Sequence, residues 1–546
     1  MVLFDTLRNH PLRLKLGELV PARLREERPS MLFGCSASIL VASIMLGGGT
    51  HGGFLSDTIL ELLAIPALLA ALSTLIALPK EQRRRARWAL ALCSAIALVP
   101  LLQLVPLPPA IWTAMPHRKE MAEIFALLAQ NAPWRPISVE PDATWVSVLS
   151  LLPPLAVFLG VIQLDYHERR LMSFVLLGMG IVAAALGTIQ VGQGPSSPLR
   201  FYEITSDVEA VGFFANQNHF AAFMYSLLPF AAAWATDLAF TMTPWRDRRQ
   251  LETASVSILI SIFLGFTVLI GAEVLTRSRA GLALVIAAAF AALALPLADR
   301  RRPSRLTPFK LMSGVALAVV LLSVQFGLYR VYEKFSVDPM QDARLVFARN
   351  TVAAAKAYMP FGSGVGTFVQ VYPSFEPPRD TIADVYVNHA HNDWLEMGLE
   401  GGVMSMAVMA AFLIWFALSS VRIWRDGAAH ARTIDLLLAR AATMVPPLLM
   451  AHSLVDYPLR TGAMMAVFAL SCAFLVEPLV AGRDDRAVRG ARASHAGMAS
   501  SRSLPAPAHA PARPAETRPD LRPARPAPRP AEPWGEDVEW PAEWRK

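Results

Sequence analysis

"TRSRAGLALVIAAAFAALALPLADRRRPSR", residues 276–305, holds one long apolar stretch between a pair of arginines, Arg277 and Arg279, and a basic run. As a helix, an uncharged stretch of about 18 residues or more covers the ~30 Å hydrocarbon layer of a bilayer. The basic run, "DRRRPSR" at 299–305, is what the positive-inside rule assigns to the cytoplasm. The short "LTRSRAG" connection at 275–281 then falls on the outer side, where arginines are not expected.

The same pattern repeats along the chain. Apolar runs begin near Met31, Asp57, Trp88, Trp145, Leu171, Gly212, Ala254, Ala280, Phe309, Leu395, Leu436 and Gly462. The expectation is an all-α, polytopic membrane protein of about 12 spans. Composition agrees, with 54% hydrophobic and 17% charged residues over 546 positions, against about 25% charged in soluble domains. Basic breaks at 79–87, 167–170 ("HERR"), 245–249, 299–305 and 421–432 recur at every second connection, placing both termini in the cytoplasm. The bilayer is therefore a partner of the chain, and nothing in the pattern asks for nucleic acid.

Residues 1–30 read as a basic cytoplasmic N-terminus before an uncleaved first span, and 31–481 as the membrane domain. From 482 to 546 the composition turns to Pro, Ala and Arg, predicting a disordered tail that either meets the anionic inner leaflet or is simply solvated. Cys35, Cys93 and Cys472 all lie in apolar runs without metal or disulfide spacing. The outward connections are 49–56, 106–143, 192–211, 276–279, 330–394 and 456–461. The largest, 330–394 between spans 9 and 10, is long enough to form a lid.

Three groups of residues stand out. Arg277 and Arg279 offer planar cations for bidentate phosphate binding, or snorkel to lipid head groups. In "GFFANQNHFAAF", 212–223, Asn216, Asn218 and His219 open a span, where amides bind sugar hydroxyls or join helices. In "VNHAHNDWLEMGLEGG", 387–402, His389 and His391 precede a helix expected to begin near Asp393 with Glu396 in a capping box. Asn388, Asn392, Glu396 and Glu400 recur every four residues. So many ionisable groups at a bilayer edge argue for a site. Histidines at i, i+2 among amides lack the familiar zinc spacing, so no metal is expected. Within the lid, Arg344, Arg349 and Lys356 fall on an amphipathic helix ahead of "PFGSGVGTF", which is either a ligand-cradling bend or a tight turn.

In order, "GFFANQNHFAAF", "LTRSRAG", "RLVFARNTVAAAKAYMPFGSGVGTF" and "NHAHNDWLEMGLEGG" resemble the O-antigen ligase superfamily across 212–403. That superfamily includes O-antigen ligases, O-antigen and exopolysaccharide polymerases, and protein O-oligosaccharyltransferases. The resemblance implies a bacterial inner-membrane glycosyltransferase with a periplasmic active site. It moves a glycan from undecaprenyl diphosphate to an acceptor hydroxyl, such as that of a lipid A core, without nucleotide sugar, metal or other cofactor. The essential histidine falls on His391. The essential arginines fall on Arg279 or Arg277 and on Arg344.

The expected mechanism has Arg277 and Arg279, with Arg344 or Arg349 from the lid, stabilising the leaving diphosphate, while His391 takes the acceptor proton and the anomeric carbon inverts. His389, Asn216, Asn218, Asn392 and Glu396 would orient His391 or bind sugar. A polymerase extending a carrier-linked glycan is the alternative enzyme, and a glycolipid transporter or flippase the alternative outside enzymes. Nothing in the sequence identifies the glycan, the acceptor or the oligomeric state.

Overall fold

The computed structural model describes residues 30–50, 52–128, 131–241, 253–297, 313–321, 340–381, 387–425 and 432–480, with positions 310 and 325. The expected span near Phe309 lies largely outside them, and the 1–29 and 482–546 termini entirely so. Among the described residues the chain is helical, with a single antiparallel bridge between Leu107 and Arg135.

The principal helices are α1 (Met31–Leu46), α2 (Leu55–Ala77), α3 (Arg87–Gln103), α4 (Lys119–Leu127), α5 (Pro141–Leu149), α6 (Leu152–Val161) and α7 (Tyr166–Gln193). They continue as α8 (Gln217–Thr241), α9 (Thr253–Thr276), α10 (Arg279–Ala292), α11 (Met340–Tyr358), α12 (Asp393–Arg425), α13 (Thr433–Ala442), α14 (Val445–His452) and α15 (Gly462–Phe474). Among the described residues, seven helical stretches are long and apolar enough to cross a membrane, and four shorter apolar helices accompany them.

Burial separates centre from periphery. The Gln217–Phe240 window is 78% buried and Asp393–Arg425 only 17%, so α8 is the central post and α12 turns most of its surface outward. In a bilayer, apolar surface alone gives helices little reason to associate, and close approach at small residues matters more. Here α8 packs on α9, α10 and α13. A Cβ on Gly281, in the first turn of α10, would lie 2.6 Å from the Ala221 Cβ in the first turn of α8.

Two local readings change. The "HERR" break belongs to α7, because Asp165 caps that helix by accepting from the Glu168 amide at 2.9 Å. Arg169 and Arg170 are consequently buried, Arg170 bonding Asp435 at 2.8 Å and Arg169 donating to the Val161, Ile162 and Val476 carbonyls. The span expected from Gly212 becomes helical only at Gln217.

A third difference shapes the site. Helix α12 begins at Asp393 but breaks at Gly402, whose φ of 57° and ψ of −148° no other residue adopts without strain. A break in an apolar medium leaves backbone groups needing partners. The Gly-rich bend supplies them: Ser363 donates to the Leu399 carbonyl at 3.0 Å and Gly364 to that of Glu400 at 2.9 Å, while the Val403 amide reaches the Pro360 carbonyl at 2.9 Å. Gln103 of α3 also donates to the Glu400 carbonyl at 2.9 Å. The "PFGSGVGTF" amides at 363 and 364 thus mend a helix.

A Cβ on Gly402 would sit 2.3 Å from the Pro360 carbonyl oxygen. Gly402→Ala is therefore expected to cost about 3 kcal/mol, from a sparsely populated conformation and a backbone clash. A thermal melt in detergent that matches the wild type would refute this.

Candidate active site

The loop 387–392 owes its shape to the helix that follows. Asn392 caps α12, its Oδ1 accepting from the Trp394 and Leu395 amides at 3.1 Å each. One residue earlier, His391 adopts φ +50°. The Glu396 side chain reaches back past the cap, with Oε2 accepting from the Ala390 amide at 2.8 Å and Oε1 meeting His389 Nδ1 at 2.7 Å. The expected capping box does not form, and Glu396 instead ties down the histidine loop.

Opposite lies the short connection 453–461, fastened to the helix start where the Ser453 hydroxyl donates to Asp393 at 2.6 Å. It contributes Asp456, Tyr457 and Arg460. Asp456 Oδ1 lies 3.2 Å from His391 Nδ1, and its Oδ2 accepts from the Asn218 side-chain amide at 2.6 Å. Arg344 of α11 brings a guanidinium nitrogen to 3.9 Å of that same Oδ2, with its side chain one-third exposed. Burial alone would push the Asp456 carboxyl up. The hydrogen bond and charge of His391, with the nearby imidazoles, outweigh it and hold Asp456 well below the usual carboxylate range.

The Tyr457 ring separates three imidazoles, at 4.3 Å from His389, 5.0 Å from His391 and 4.9 Å from His219, measured between ring centres. Its hydroxyl accepts from Asn388 at 3.2 Å. Below it, His219 is buried, and so is His452, whose Nδ1 pairs with the Tyr225 hydroxyl at 2.9 Å.

Arg460 answers the acidic side of the site. Its guanidinium lies 2.8 Å from Glu400, 3.5 Å from Glu396 and 3.5 Å from Asp393, three buried carboxylates on successive turns of α12. Burial opposes a charged Arg460, yet these carboxylates hold its pKa above the ordinary arginine range.

The expected residues do not all meet at one point. His391, Arg344, Asn218 and His219 gather around Asp456 and Tyr457. His389 and Glu396 form a second pair beside them, Asn392 serves as a cap, and the Asn216 side chain accepts from the Asn218 backbone amide at 2.7 Å. Arg349 stands apart, pairing with Asp380 at 2.5 Å on the exposed side of α11. Arg277, at φ 53°, and Arg279 occupy the α9–α10 turn, where Ser278 caps α10. That turn is tied to the loop before α8 by the Ala210 amide donating to the Leu275 carbonyl at 3.1 Å. Since the first turn of α8 touches both Gly281 and Asp456, the arginine turn and the histidine loop share one end of the bundle.

Asp456, Tyr457, Arg460 and Gln103 escaped the sequence reading. The available signal was "DYPLR", an acid and a base within six residues between two apolar runs.

Residues 260–410 match the O-antigen ligase family model. The matched segment contains Arg277, Arg279, Arg344, His389 and His391. Asn218, Asp456 and Arg460 lie outside it and reach the site only through the fold. No curated protein matches the chain.

Proposed function

We propose that this membrane protein, of O-antigen ligase or polymerase type by its family match, transfers a glycan from undecaprenyl diphosphate to an acceptor hydroxyl. In this reading it is an O-antigen ligase acting on a lipid A core hydroxyl in a bacterial inner membrane, with the site facing the periplasm. The arginine-rich breaks support that orientation.

One observation carries the reading: His391 paired with a buried, ionised Asp456 beside the Arg344 guanidinium. A carboxylate only accepts, so His391 Nδ1 carries hydrogen, and in the neutral imidazole this leaves the lone pair on Nε2 for a proton. As the acceptor O–H breaks, that proton passes to His391 Nε2 and the oxygen bonds the anomeric carbon. The carbon–oxygen bond to the diphosphate breaks in line, and its electron pair stays on the diphosphate. Arg277, Arg279 and Arg344 stabilise the charge developing there. The geometry favours Arg344 over Arg349, which Asp380 occupies. Asn218 helps to fix Asp456, while Glu396 holds His389.

A polymerase would use the same groups on a carrier-linked acceptor. The lipid-linked glycans of a null strain separate the two, a missing ligase leaving long chains on the carrier and a missing polymerase leaving single repeats. A transporter is disfavoured because the ionisable groups around His391 gather at one end of the bundle, whereas carriers concentrate them near the bilayer midplane.

His391→Ala in purified protein, supplied with carrier-linked glycan and acceptor, is expected to lower turnover by about 10²–10⁴-fold. Turnover near wild type would remove His391 as the base.

A further inference from the structure

Between α3 and α5 the chain folds into a small unit with its own core. Leu107 and Arg135 exchange backbone hydrogen bonds of 2.9 and 3.1 Å. The Trp112 indole donates to the Pro133 carbonyl at 2.9 Å, and the Phe125 ring of α4 meets Trp112 edge-on at 6.3 Å between centres. Trp112 is only 1% exposed. This unit has buried what its own packing needs.

It nevertheless leaves five large apolar side chains uncovered. Ile111, Ile124, Leu127, Leu128 and Trp134 are between 51% and 86% exposed. Ile124 and Leu127 of α4 and Leu128, which ends it, stand at i, i+3 and i+4, so they share a face. The first half carries Lys119, Glu120 and Glu123. The helix is thus charged at its beginning and apolar at its end, a gradient suited to dipping one end into a bilayer surface.

Continuity identifies the occupant. The exposed Leu98, Leu101 and Leu102 of the apolar helix α3 lead through exposed Val105 directly into the unit. Trp134 adds the amphipathic ring that favours the head-group level, and Lys119 a cation for lipid phosphates.

The unit is also fastened to the segment that carries Arg344. The Arg118 guanidinium lies over the Tyr358 ring at 5.7 Å, and it donates to the Ile137 carbonyl. The His117 ring packs on Tyr358 and Phe375 at 4.9 and 5.2 Å. The Val139 amide donates to the Ser363 carbonyl at 2.8 Å.

We infer that the Val105–Trp134 unit is a membrane-surface anchor: the second half of α4, flanked by Ile111 and Trp134, inserts among lipid head groups and upper acyl chains and holds the 340–381 segment at that depth. The inference rests on packing and stands whatever reaction the site performs.

The test uses the full chain with Cys35, Cys93 and Cys472 replaced by Ala and a single nitroxide label at Leu128→Cys or Glu123→Cys. It is reconstituted in vesicles of phosphatidylethanolamine and phosphatidylglycerol. The Leu128 label is expected to collide with oxygen in preference to a water-soluble nickel chelate, at a depth of about 5–10 Å, and the Glu123 label to show the reverse preference. Equal chelate access at both positions would overturn the anchor. Spin–spin broadening at Leu128 that dilution with unlabelled protein removes would overturn it too, by assigning the face to a second copy. A second measurement keeps the native cysteines: the emission difference between wild type and Trp134→Phe should be quenched by brominated lipids, and an unquenched difference counts against the inference.

Discussion

Replacing Asp456 with Asn is expected to lower turnover about 10³–10⁴-fold while leaving the protein folded. The asparagine would be nearly isosteric, but it has one oxygen to accept with and one NH2 group that only donates. The Asn218 side-chain amide already donates to one side of this carboxylate at 2.6 Å. Satisfying it turns the new NH2 group towards His391 Nδ1 and the Tyr457 amide, which in the wild type donates to the facing oxygen at 3.0 Å; the amide loses its acceptor and the imidazole must accept. Hydrogen moves to Nε2, and the imidazole loses the lone pair assigned to the acceptor proton. Loss of the correct tautomer in a histidine–carboxylate pair costs a serine protease about 10⁴-fold, which sets the scale. Steady-state transfer measured beside a melting curve decides the matter, and activity within about tenfold of wild type at unchanged stability would remove Asp456 from the mechanism.

The same residue predicts a pH signature. Because the folded-state value lies below the unfolded one of about 3.9, the ionised Asp456 contributes stability above that pH. The contribution is lost as pH falls through the depressed folded value. The stability gap between wild type and Asp456→Asn should therefore narrow below about pH 4.

Removing the charge of Arg460 should have the larger structural effect. Arg460→Met keeps the length and apolar stem but leaves Asp393, Glu396 and Glu400 buried around no cation. Breaking a buried ion pair costs about 3–5 kcal/mol, much of a typical folding free energy. Little monodisperse protein is expected from detergent extracts. Adding Glu400→Gln to Arg460→Met should recover part of the loss, since it removes one of the unpaired charges. A single Arg460→Met protein melting with the wild type would show that the cluster is neutralised by other means.

The apolar helices were legible because the length of a span follows directly from bilayer thickness. Helices occur at or within a few residues of the expected starts wherever the residues are described, and hydrogen-bonding patterns account for the exceptions. "HERR" reads as a solvated break because it is charged, yet Asp165 starts a helix there and buried carbonyls and Asp435 absorb the two arginines. The histidine loop was visible as an excess of polar groups at a bilayer edge. Its partners were not, because Asp456 and Arg460 approach it from another connection, and no local spacing relates positions 391 and 456. Arg344 and Arg349 look equivalent on one helix. Asp380, fixed only by the fold, distinguishes them.

The broken helix has one further consequence, for traffic. Four bonds cross the interruption at Gly402, three from the neighbouring glycine bend and one from Gln103. Peeling the bend away would strand buried amides and carbonyls without partners, at about 1–3 kcal/mol apiece. That stretch of chain cannot swing like a hinged door. Whatever reaches His391 must therefore pass a fixed frame rather than open it.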